Sequence, residues 1–258
     1  YMKKFGILLL AIVTLSSCGD DKIEFPEASI QFKFSQNWDG IEVTKDAFNL
    51  IVFTNANGEK QSIENLRYLI SRVTLTTSSG ISTTMDGYQL VDVSVGSTAN
   101  FKPTKTMPLG TYKLSITFGF NQDDNIDGAY QDLNTALWNV PSMLGGGYHY
   151  MQLDGKYLDE MNMEANYNYH AIRAVDKTGA EIAFGKTHFI VELGNVKIDG
   201  ATSIEIKMNI AEWFKNPHTW DLNELNTVLM PNYDAQKMIS ENGKDAFSLG
   251  EVKLIDVQ

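Results

Sequence analysis

The strongest constraint on the fold is an alternation of apolar and polar residues that recurs along most of the chain. Apolar side chains at every second position predict strands with one buried face, because successive side chains in a strand point to opposite sides. The clearest alternations are at residues 30–34, 112–120 and 204–210. A longer one, at residues 66–75, changes phase at Ser71-Arg72, which predicts a β-bulge.

Shorter strands and turn signals complete the pattern. We predict strands at residues 49–53, 88–95, 148–153, 167–175, 188–193 and 252–257. Turn-forming pairs separate the strands at Asn57-Gly58, Ser79-Gly80, Asp86-Gly87, Asp154-Gly155 and Asp199-Gly200. Helical signals are confined to residues 210–215 and to residues 233–242, before Gly243. The sequence therefore predicts an all-β fold, an antiparallel β-sandwich or barrel-like sandwich with one or two short helices, formed by residues 28–258 as a single domain.

The first residues have the layout of a secretory signal. Lys3 and Lys4 precede an apolar run at residues 5–13, and the string Leu-Ser-Ser-Cys ends at Cys18. A charged start, a short apolar stretch and small residues at the cleavage site are typical of signal peptides. The string also resembles a lipobox, in which the cysteine carries a lipid. We expect a signal peptide at residues 1–17, followed by a lipidated Cys18 and a tether at residues 18–27; the alternative is an ordinary signal with a chance cysteine.

A lipid on Cys18 places the protein on a membrane, because several acyl chains on one residue give a stable anchor. We therefore expect an outer-membrane lipoprotein that faces the periplasm or the cell surface. Of the 21 basic residues, Lys3 and Lys4 leave with the signal, so that 19 face 32 acidic residues. This acidity argues against a nucleic-acid partner. Cys18 is the only cysteine, so a disulfide framework is excluded and stability must come from a hydrophobic core.

An acidic loop follows the predicted strand at residues 112–120. Asp123, Asn125, Asp127 and Gly128 match the start of a D-x-N-x-D-G calcium loop, in which alternate oxygens face the ion. The bidentate glutamate that closes such a loop is replaced by Asn134. Two interpretations stand: a structural calcium site at Asp123, Asn125 and Asp127, or a solvated loop.

Two histidines occur among methionines in predicted strands. His149 and His170 are accompanied by Met143, Met151, Met161 and Met163. Imidazole and thioether groups are soft ligands that suit copper. The competing interpretation is a pair of hydrogen-bonded core histidines with methionines as gap-fillers.

Motifs of common enzyme classes are missing from the sequence. It contains no G-x-S-x-G elbow, no H-E-x-x-H helix, no Walker loop and no dinucleotide-binding glycine pattern. The one cysteine is assigned to the lipid. We expect a protein that is not an enzyme; a glycosidase is a further alternative without candidate residues.

Five strings, in order, resemble the MbnP-like family, which is named for a copper-binding protein associated with methanobactin. They are LRYLIS at residues 66–71, LGTY at residues 109–112, FGFNQDDN at residues 118–125, the stretch from LW to LDG at residues 137–155, and Tyr169-His170. The resemblance extends over residues 30–256, nearly the whole chain after the tether.

This resemblance implies an all-β domain that binds copper through two histidines and a tryptophan oxidised to kynurenine, sometimes with calcium nearby. His149, His170 and Trp138 match motif positions. The implied partners are a Trp-oxidising enzyme or an outer-membrane transporter. Gln36 stands where similar lipoproteins carry a histidine, so a ligand is missing if that histidine binds copper. Trp38 is then the alternative candidate for oxidation.

Two functions follow as expectations. The first is a copper-binding lipoprotein that serves in metal acquisition or storage. The second is a non-catalytic accessory lipoprotein that binds a glycan or a partner at the cell surface, because amphipathic aromatic rings suit such surfaces. Its candidate platform is formed by Tyr148, Tyr150, Tyr167 and Tyr169. The alternative for these tyrosines is that they line the core.

Overall fold

The computed structural model describes residues 26–256. The predicted signal peptide, Cys18 and the tether as far as residue 25 lie outside the described residues. Within residues 26–256, every helix is too short or too polar to span a membrane.

The described residues form eighteen strands, two α-helices and four 3₁₀ helices. The strands are β1 (Glu27–Ala28), β2 (Ile30–Trp38), β3 (Ile41–Glu42), β4 (Phe53–Thr54), β5 (Lys60–Gln61), β6 (Asn65–Thr76), β7 (Ser82–Thr84), β8 (Tyr88–Asp92), β9 (Asn100–Phe101), β10 (Met107–Pro108), β11 (Gly110–Phe118), β12 (Met151–Leu158), β13 (Glu164–Ala171), β14 (Ala174–Asp176), β15 (Ala183–Gly185), β16 (Phe189–Ile198), β17 (Thr202–Asn209) and β18 (Phe247–Leu254). The helices are α1 (Gln131–Thr135) and α2 (Tyr233–Gly243), with 3₁₀ helices at Lys45–Ala47, Gly96–Ala99, Ser142–Leu144 and Ile210–Phe214.

Two large sheets organise these strands. The larger has nine strands in the order β16-β11-β6-β12-β5-β4, with β13 on β12 and with β7 and β8 on β6. The smaller has five strands in the order β18-β17-β2-β3, with β9 on β2. Among the described strands, β2 and β17 run parallel, and the other pairings are antiparallel. The prediction of a mainly antiparallel all-β fold is confirmed, and the parallel pair was not predicted.

Aromatic side chains join the inner faces of the two sheets. Tyr68 of β6 lies against Phe34 of β2 and Phe247 of β18, with ring centroids 6.4 and 6.1 Å apart. The amide Nε2 of Gln36 donates a hydrogen bond of 2.7 Å to the Tyr68 hydroxyl. All of these side chains are buried. Gln36, which replaces the histidine discussed above, therefore belongs to the polar part of the core.

The β-bulge predicted at Ser71-Arg72 is present. Ser115 of β11 pairs with Thr74, whereas Thr117 pairs with Ser71, so β6 contains one residue more than β11 here. Arg72 has a positive φ of 46°. Its guanidinium pairs with both carboxylate oxygens of Asp124, at 2.5 and 3.0 Å. The bulge thus turns a side chain of β6 toward the acidic loop.

Some predicted element bounds were wrong. In the predicted segment 49–53 only Phe53 lies in a strand, as the first residue of β4, and the strand predicted at residues 148–153 begins at Met151. Gly145, Gly146 and Gly147 all have positive φ, and after this left-handed backbone Tyr148 forms an isolated bridge with Asn139 instead of belonging to β12. The segment predicted at 167–175 is divided into β13 and β14, and α1 was not predicted.

Two glycines that were interpreted as breaks are instead sites of close packing. The predicted turn at Asp154-Gly155 lies within β12, where a Cβ on Gly155 would come within 2.2 Å of the Ser62 carbonyl oxygen. Gly243, predicted to stop the helix after residue 242, is the last residue of α2, and a Cβ there would lie 2.3 Å from the Trp213 ring. In both places the small residue permits another group to approach the backbone.

We predict that Gly119→Ala destabilises the protein more than Gly128→Ala does. Both glycines have positive φ, at 75° and 71°. A Cβ at Gly119 would lie 2.4 Å from the Tyr150 ring, whereas nothing lies within 4 Å of one at Gly128. We expect a loss of about 1 kcal/mol in the free energy of unfolding for Gly128→Ala, and of about 3 kcal/mol or more for Gly119→Ala. Urea unfolding measures both losses, and equal losses would contradict the steric argument.

Candidate metal centre

His149, His170 and Trp138 come together in the structure. The ring centroids of His149 and His170 are 5.6 Å apart, with the planes nearly perpendicular at 85°. The centroids of His149 and Trp138 are 5.5 Å apart. Three residues separated by up to 32 positions in the sequence thus form one cluster, with His149 in the middle.

The cluster lies on the outer face of the larger sheet. His170 of β13 pairs with Gln152 of β12, which pairs with Arg67 of β6. Residues opposite one another across a ladder share a face. The neighbouring residue Tyr68 points into the core, so the row formed by Arg67, Gln152 and His170 points away from it.

The backbone holds His149 against Trp138. The N–H of His149 donates to the Trp138 carbonyl oxygen at 3.0 Å, and Nδ1 of the His149 ring lies 3.0 Å from the same oxygen. A carbonyl only accepts, so the proton of the neutral ring is assigned to Nδ1. The unprotonated Nε2 is then left to accept a hydrogen bond or to bind a metal ion.

His170 is held in a different way. Its Nε2 lies 2.7 Å from Oδ1 of Asp154, which assigns the proton to Nε2 and leaves Nδ1 with its lone pair. Asn65 and Asn168 also donate to the Asp154 carboxylate, at 2.8 and 2.7 Å. Burial raises the pKa of Asp154, but the hydrogen bonds from His170 and the two amides lower it to about 2. The carboxylate is therefore ionised and fixed in place.

His149 is only 5 % exposed. Burial lowers the pKa of its imidazole to about 4, although the hydrogen bond to Trp138 acts in the opposite direction. The ring is therefore neutral at neutral pH. A neutral imidazole is the form that binds a metal ion.

Trp138 is fully buried beneath a cation. The guanidinium carbon of Arg67 lies 4.8 Å from the centroid of the indole ring. Arg67 donates to Oε1 of Gln152 at 2.6 Å and to the Ala136 carbonyl at 3.2 Å, and these bonds hold it over the ring. The indole Nε1 is buried and has no hydrogen-bond partner among the described residues. A positive charge above the ring is a favourable cation–π arrangement.

Trp38 and Gln36 lie elsewhere. Trp38 stacks between Phe53 and Phe214, with ring centroids 4.9 and 5.8 Å apart, in the core. Gln36 bonds to Tyr68 on the inner face of the larger sheet. The structure brings Trp138 to the histidine pair and leaves Trp38 in the space between the sheets.

The methionines do not gather around the histidines as ligands. Met151 is fully buried and pairs with Tyr68, so its side chain lies on the face opposite His170. Met143, Met161 and Met163 are 71, 80 and 63 % exposed. Within residues 26–256, no group of three or more His, Cys, Asp or Glu side chains is arranged to hold a metal ion. A metal ion at this site depends on the two imidazoles and on a ligand of another kind.

The proposed tyrosine platform was wrong. Each of the four tyrosines is 0 % exposed, so that none offers a ring to a glycan or a partner. The alternative that these side chains line the core is confirmed for Tyr148, Tyr150, Tyr167 and Tyr169.

The acidic loop has internal roles that the sequence did not reveal. The buried Asn125 accepts a hydrogen bond of 2.8 Å from the Tyr148 N–H, and Asp127 accepts one of 3.1 Å from the Gly147 N–H. Asp123 is exposed. These bonds fix the glycine segment before His149. Calcium binding by Asp123, Asn125 and Asp127 stays a prediction.

Sequence reasoning missed Asp154 and Arg67 as parts of the site. Asp154 was assigned to a turn because glycine follows it, and Arg67 was noted only as a letter in a motif. The available signal was strand pairing: Gln152 and Asp154 alternate along the same face as His170 once the hairpin register is known.

The burial of His149 predicts a pH-dependent stability. Between pH 6.5 and 4 the unfolded chain takes up a proton that the folded chain does not, because the pKa of His149 is lowered to about 4 in the fold. The contribution of the neutral His149 ring to the free energy of unfolding is therefore fully present at neutral pH. As the pH falls from 6.5 to 4, the free energy of unfolding decreases by about 3 kcal/mol in all.

We expect His149→Asn to remove this dependence, since the amide N–H can replace Nδ1 as donor to Trp138. Urea unfolding measures both proteins from pH 7.5 to 4 with a chelator present. The difference in free energy of unfolding between the wild type and His149→Asn should decrease as the pH falls. Parallel curves would contradict the assignment.

The sequence and the fold resemble those of known proteins. A sequence profile of the MbnP family matches residues 27–231. The solved structure of MbnP from Methylosinus trichosporium is similar, with a TM-score of 0.50 and 13 % identity over 73 % of this chain and 78 % of that chain. At that identity it shows similarity of fold alone. A search of curated protein sequences gave no match. Because the family profile covers most of the sequence, the chain belongs to the MbnP family.

Proposed function

We propose that this protein binds copper through His149 and His170, with Trp138 as third partner after its oxidation to kynurenine. One observation carries the proposal. Two imidazoles lie 5.6 Å apart, each with one ring nitrogen in a hydrogen bond and the other assigned a free lone pair. In this proposal the protein is not an enzyme and serves in metal acquisition or storage.

The spacing of the rings fits a shared metal ion. Imidazole nitrogens bind such ions at about 2 Å, so two rings on one ion have centroids at most about 6 Å apart. The observed 5.6 Å meets this condition. The chemistry of the donors also fits, since imidazole is a common copper ligand and no thiolate is available.

The hydrogen bonds around the rings support metal binding. A ligand histidine commonly donates its other N–H to a carboxylate or to a backbone carbonyl, which fixes the ring orientation. Asp154 has this role for His170, and the Trp138 carbonyl has it for His149. The lowered pKa of His149 removes competition from a proton near neutral pH.

Trp138 is suited to become the third partner. Its ring lies beside His149 and beneath Arg67, and its indole nitrogen has no partner to lose within the described residues. Oxidation to kynurenine opens the pyrrole ring and leaves a carbonyl and an aromatic amine. Both are new donor groups next to the imidazole. A partner enzyme would catalyse the reaction with dioxygen as the oxidant: the indole C2–C3 bond breaks as both carbons gain oxygen, and hydrolysis then releases C2 as formate. The neighbouring Leu137, 81 % exposed with a φ of 55°, offers such an enzyme an apolar contact.

The membrane anchor completes the proposal. A lipid on Cys18 holds the protein at the outer membrane, facing the periplasm or the cell surface. An outer-membrane transporter is the second class of partner. This part of the proposal is supported by the sequence around Cys18.

Copper titration of the purified protein tests the two histidines. We expect one equivalent of copper to bind to the wild type. Calorimetry measures this binding, and EPR also measures it for Cu²⁺. His149→Ala/His170→Ala should lose this site. An unchanged stoichiometry and spectrum in the double variant would contradict the proposal.

Asp154→Asn gives a graded form of the same test. The variant keeps both imidazoles but loses the carboxylate that orients His170, so copper affinity should fall by about 10- to 100-fold with the stoichiometry retained. Glu164→Gln is the matched control, because it removes one negative charge from the same hairpin at an exposed ion pair with Lys156. Equal losses of copper affinity in the two variants would mean that the loss of a negative charge weakens binding, and not the loss of the group that orients His170.

Oxidation of Trp138 has its own readout. Protein isolated from its native cells should yield a peptide containing residue 138 with one oxygen gained and one carbon lost, and with kynurenine absorbance. Trp38 should remain tryptophan, because it stacks between Phe53 and Phe214, away from the two histidines that would hold the copper. The same mass change on the Trp38 peptide instead would contradict the assignment.

A further inference from the structure

A polar cleft lies at another place on the molecule, where three distant segments meet. Its walls are the β4–β5 turn, the tip of the β12–β13 hairpin and the loop at residues 221–223. The volume of the cleft is about 380 Å³. Four acidic residues and Lys60 line it; the acidic residues are Glu59, Asp159, Glu160 and Asp221.

Glu59 is the unusual member of this set, because it is a carboxylate only 7 % exposed. Its Oε1 accepts hydrogen bonds from Nδ2 of Asn57, the N–H of Leu222 and Nδ2 of Asn223, at 2.8, 3.1 and 3.1 Å. Its Oε2 is buried and has no hydrogen-bond partner among the described residues. A buried carboxylate oxygen without a donor or a countercharge is costly.

Asp221 brings a second carboxylate to the same point. The side chains of Asp221 and Glu59 lie within hydrogen-bonding reach of each other. Burial raises the pKa of Asp221, but the N–H of Asn223, which donates to Oδ1 at 2.8 Å, helps to hold that pKa below its ordinary value. None of the ion pairs formed within residues 26–256 includes either carboxylate. Two carboxylates therefore face each other, and either a shared proton or a bound cation is needed between them.

We propose that Glu59 and Asp221 bind a hard divalent cation of the Ca²⁺ type in this cleft. Nδ2 of Asn57 and Nδ2 of Asn223 both donate to Glu59, so the amide oxygens of these residues are free to serve as further ligands. The set consists of carboxylate and amide oxygens, which are the ligands of calcium. The absence of imidazole and sulfur from the lining described here disfavours soft metals.

The site joins segments that are far apart in the sequence. Glu59 and Leu222 are separated by 163 residues, and their hydrogen bond already connects the β4–β5 turn to the later loop. A cation between Glu59 and Asp221 strengthens this connection. The adjacent Trp220 packs on Tyr169 with ring centroids 4.6 Å apart, so the loop is also part of the core. The proposal is independent of copper, since no residue is shared with the histidine cluster.

Calcium titration of the full chain, after treatment with a chelator, tests the proposal. We expect calorimetry to show one equivalent of Ca²⁺ bound at this cleft, separate from the equivalent predicted for the loop of Asp123, Asn125 and Asp127. At calcium about 100 times above its Kd, the melting midpoint should rise by about 5–10 °C. Glu59→Gln should lose both responses. It should also be more stable than the wild type in chelator at neutral pH, because its amide can donate to Asp221, whereas the wild type must either take up a proton or leave two negative charges together.

Asp221→Asn is the second variant, and it should lose calcium binding while retaining the acceptor for the Asn223 N–H. Glu160→Gln is the control, because it removes one charge from the exposed rim of the cleft. It should bind Ca²⁺ with affinity within about threefold of the wild type. The proposal is overturned if the wild type binds no Ca²⁺ at about 10 mM, above the range of weak protein sites. It is also overturned if Glu160→Gln and Glu59→Gln lose binding equally.

Discussion

The face assignment of β6, β12 and β13 is the constraint on which the rest of the structure depends. Tyr68, Tyr167 and Tyr169 occupy the inner face and are fully buried. Aromatic side chains of this size dominate the energetics of a core. Because side chains alternate, burying these rings leaves Arg67 and His170 on the opposite face. A slip of one residue in the hairpin register would exchange the two sets, so the core determines where the imidazole lies.

Much of this could be predicted from the sequence, because period-two patterning reports burial directly. The alternations at residues 30–34 and 66–75 lie in strands, the one at 112–120 does so as far as Phe118, and the phase change at Ser71-Arg72 marks a bulge. The histidine pair was singled out from its predicted strands and neighbouring methionines, Trp138 was added by the family resemblance, and the structure brings these three together. The chemistry-bearing residues were therefore within reach of sequence reasoning, whereas the groups that hold them were not.

What escaped prediction depends on contacts between distant segments. Asp154-Gly155 has the composition of a turn, yet Gly155 lies in a strand. The Ser62 backbone approaches this position so closely that only glycine fits there. The pairing of Asp154 with His170 requires the register of β12 and β13, which composition does not contain. The tyrosines were ambiguous for a similar reason: alternation shows that a side chain is on one face, but not whether another sheet covers that face.

The parallel pairing of β2 with β17 has a consequence for the order of assembly. Ile30 is aligned with Thr202, and Asn37 with Asn209, so the first long strand of the smaller sheet has no partner on this side until the chain has been made beyond residue 209. Closing a loop of that length has an entropic cost that must be met before the contacts form, and such topologies fold slowly. The larger sheet also has long-range pairings, of β11 with β16 and of β6 with β12, but all of its strands have been made once the chain reaches Ile198. Closure of the sandwich is thereby postponed until β17 has been made, although β2 is among the first strands of the described residues.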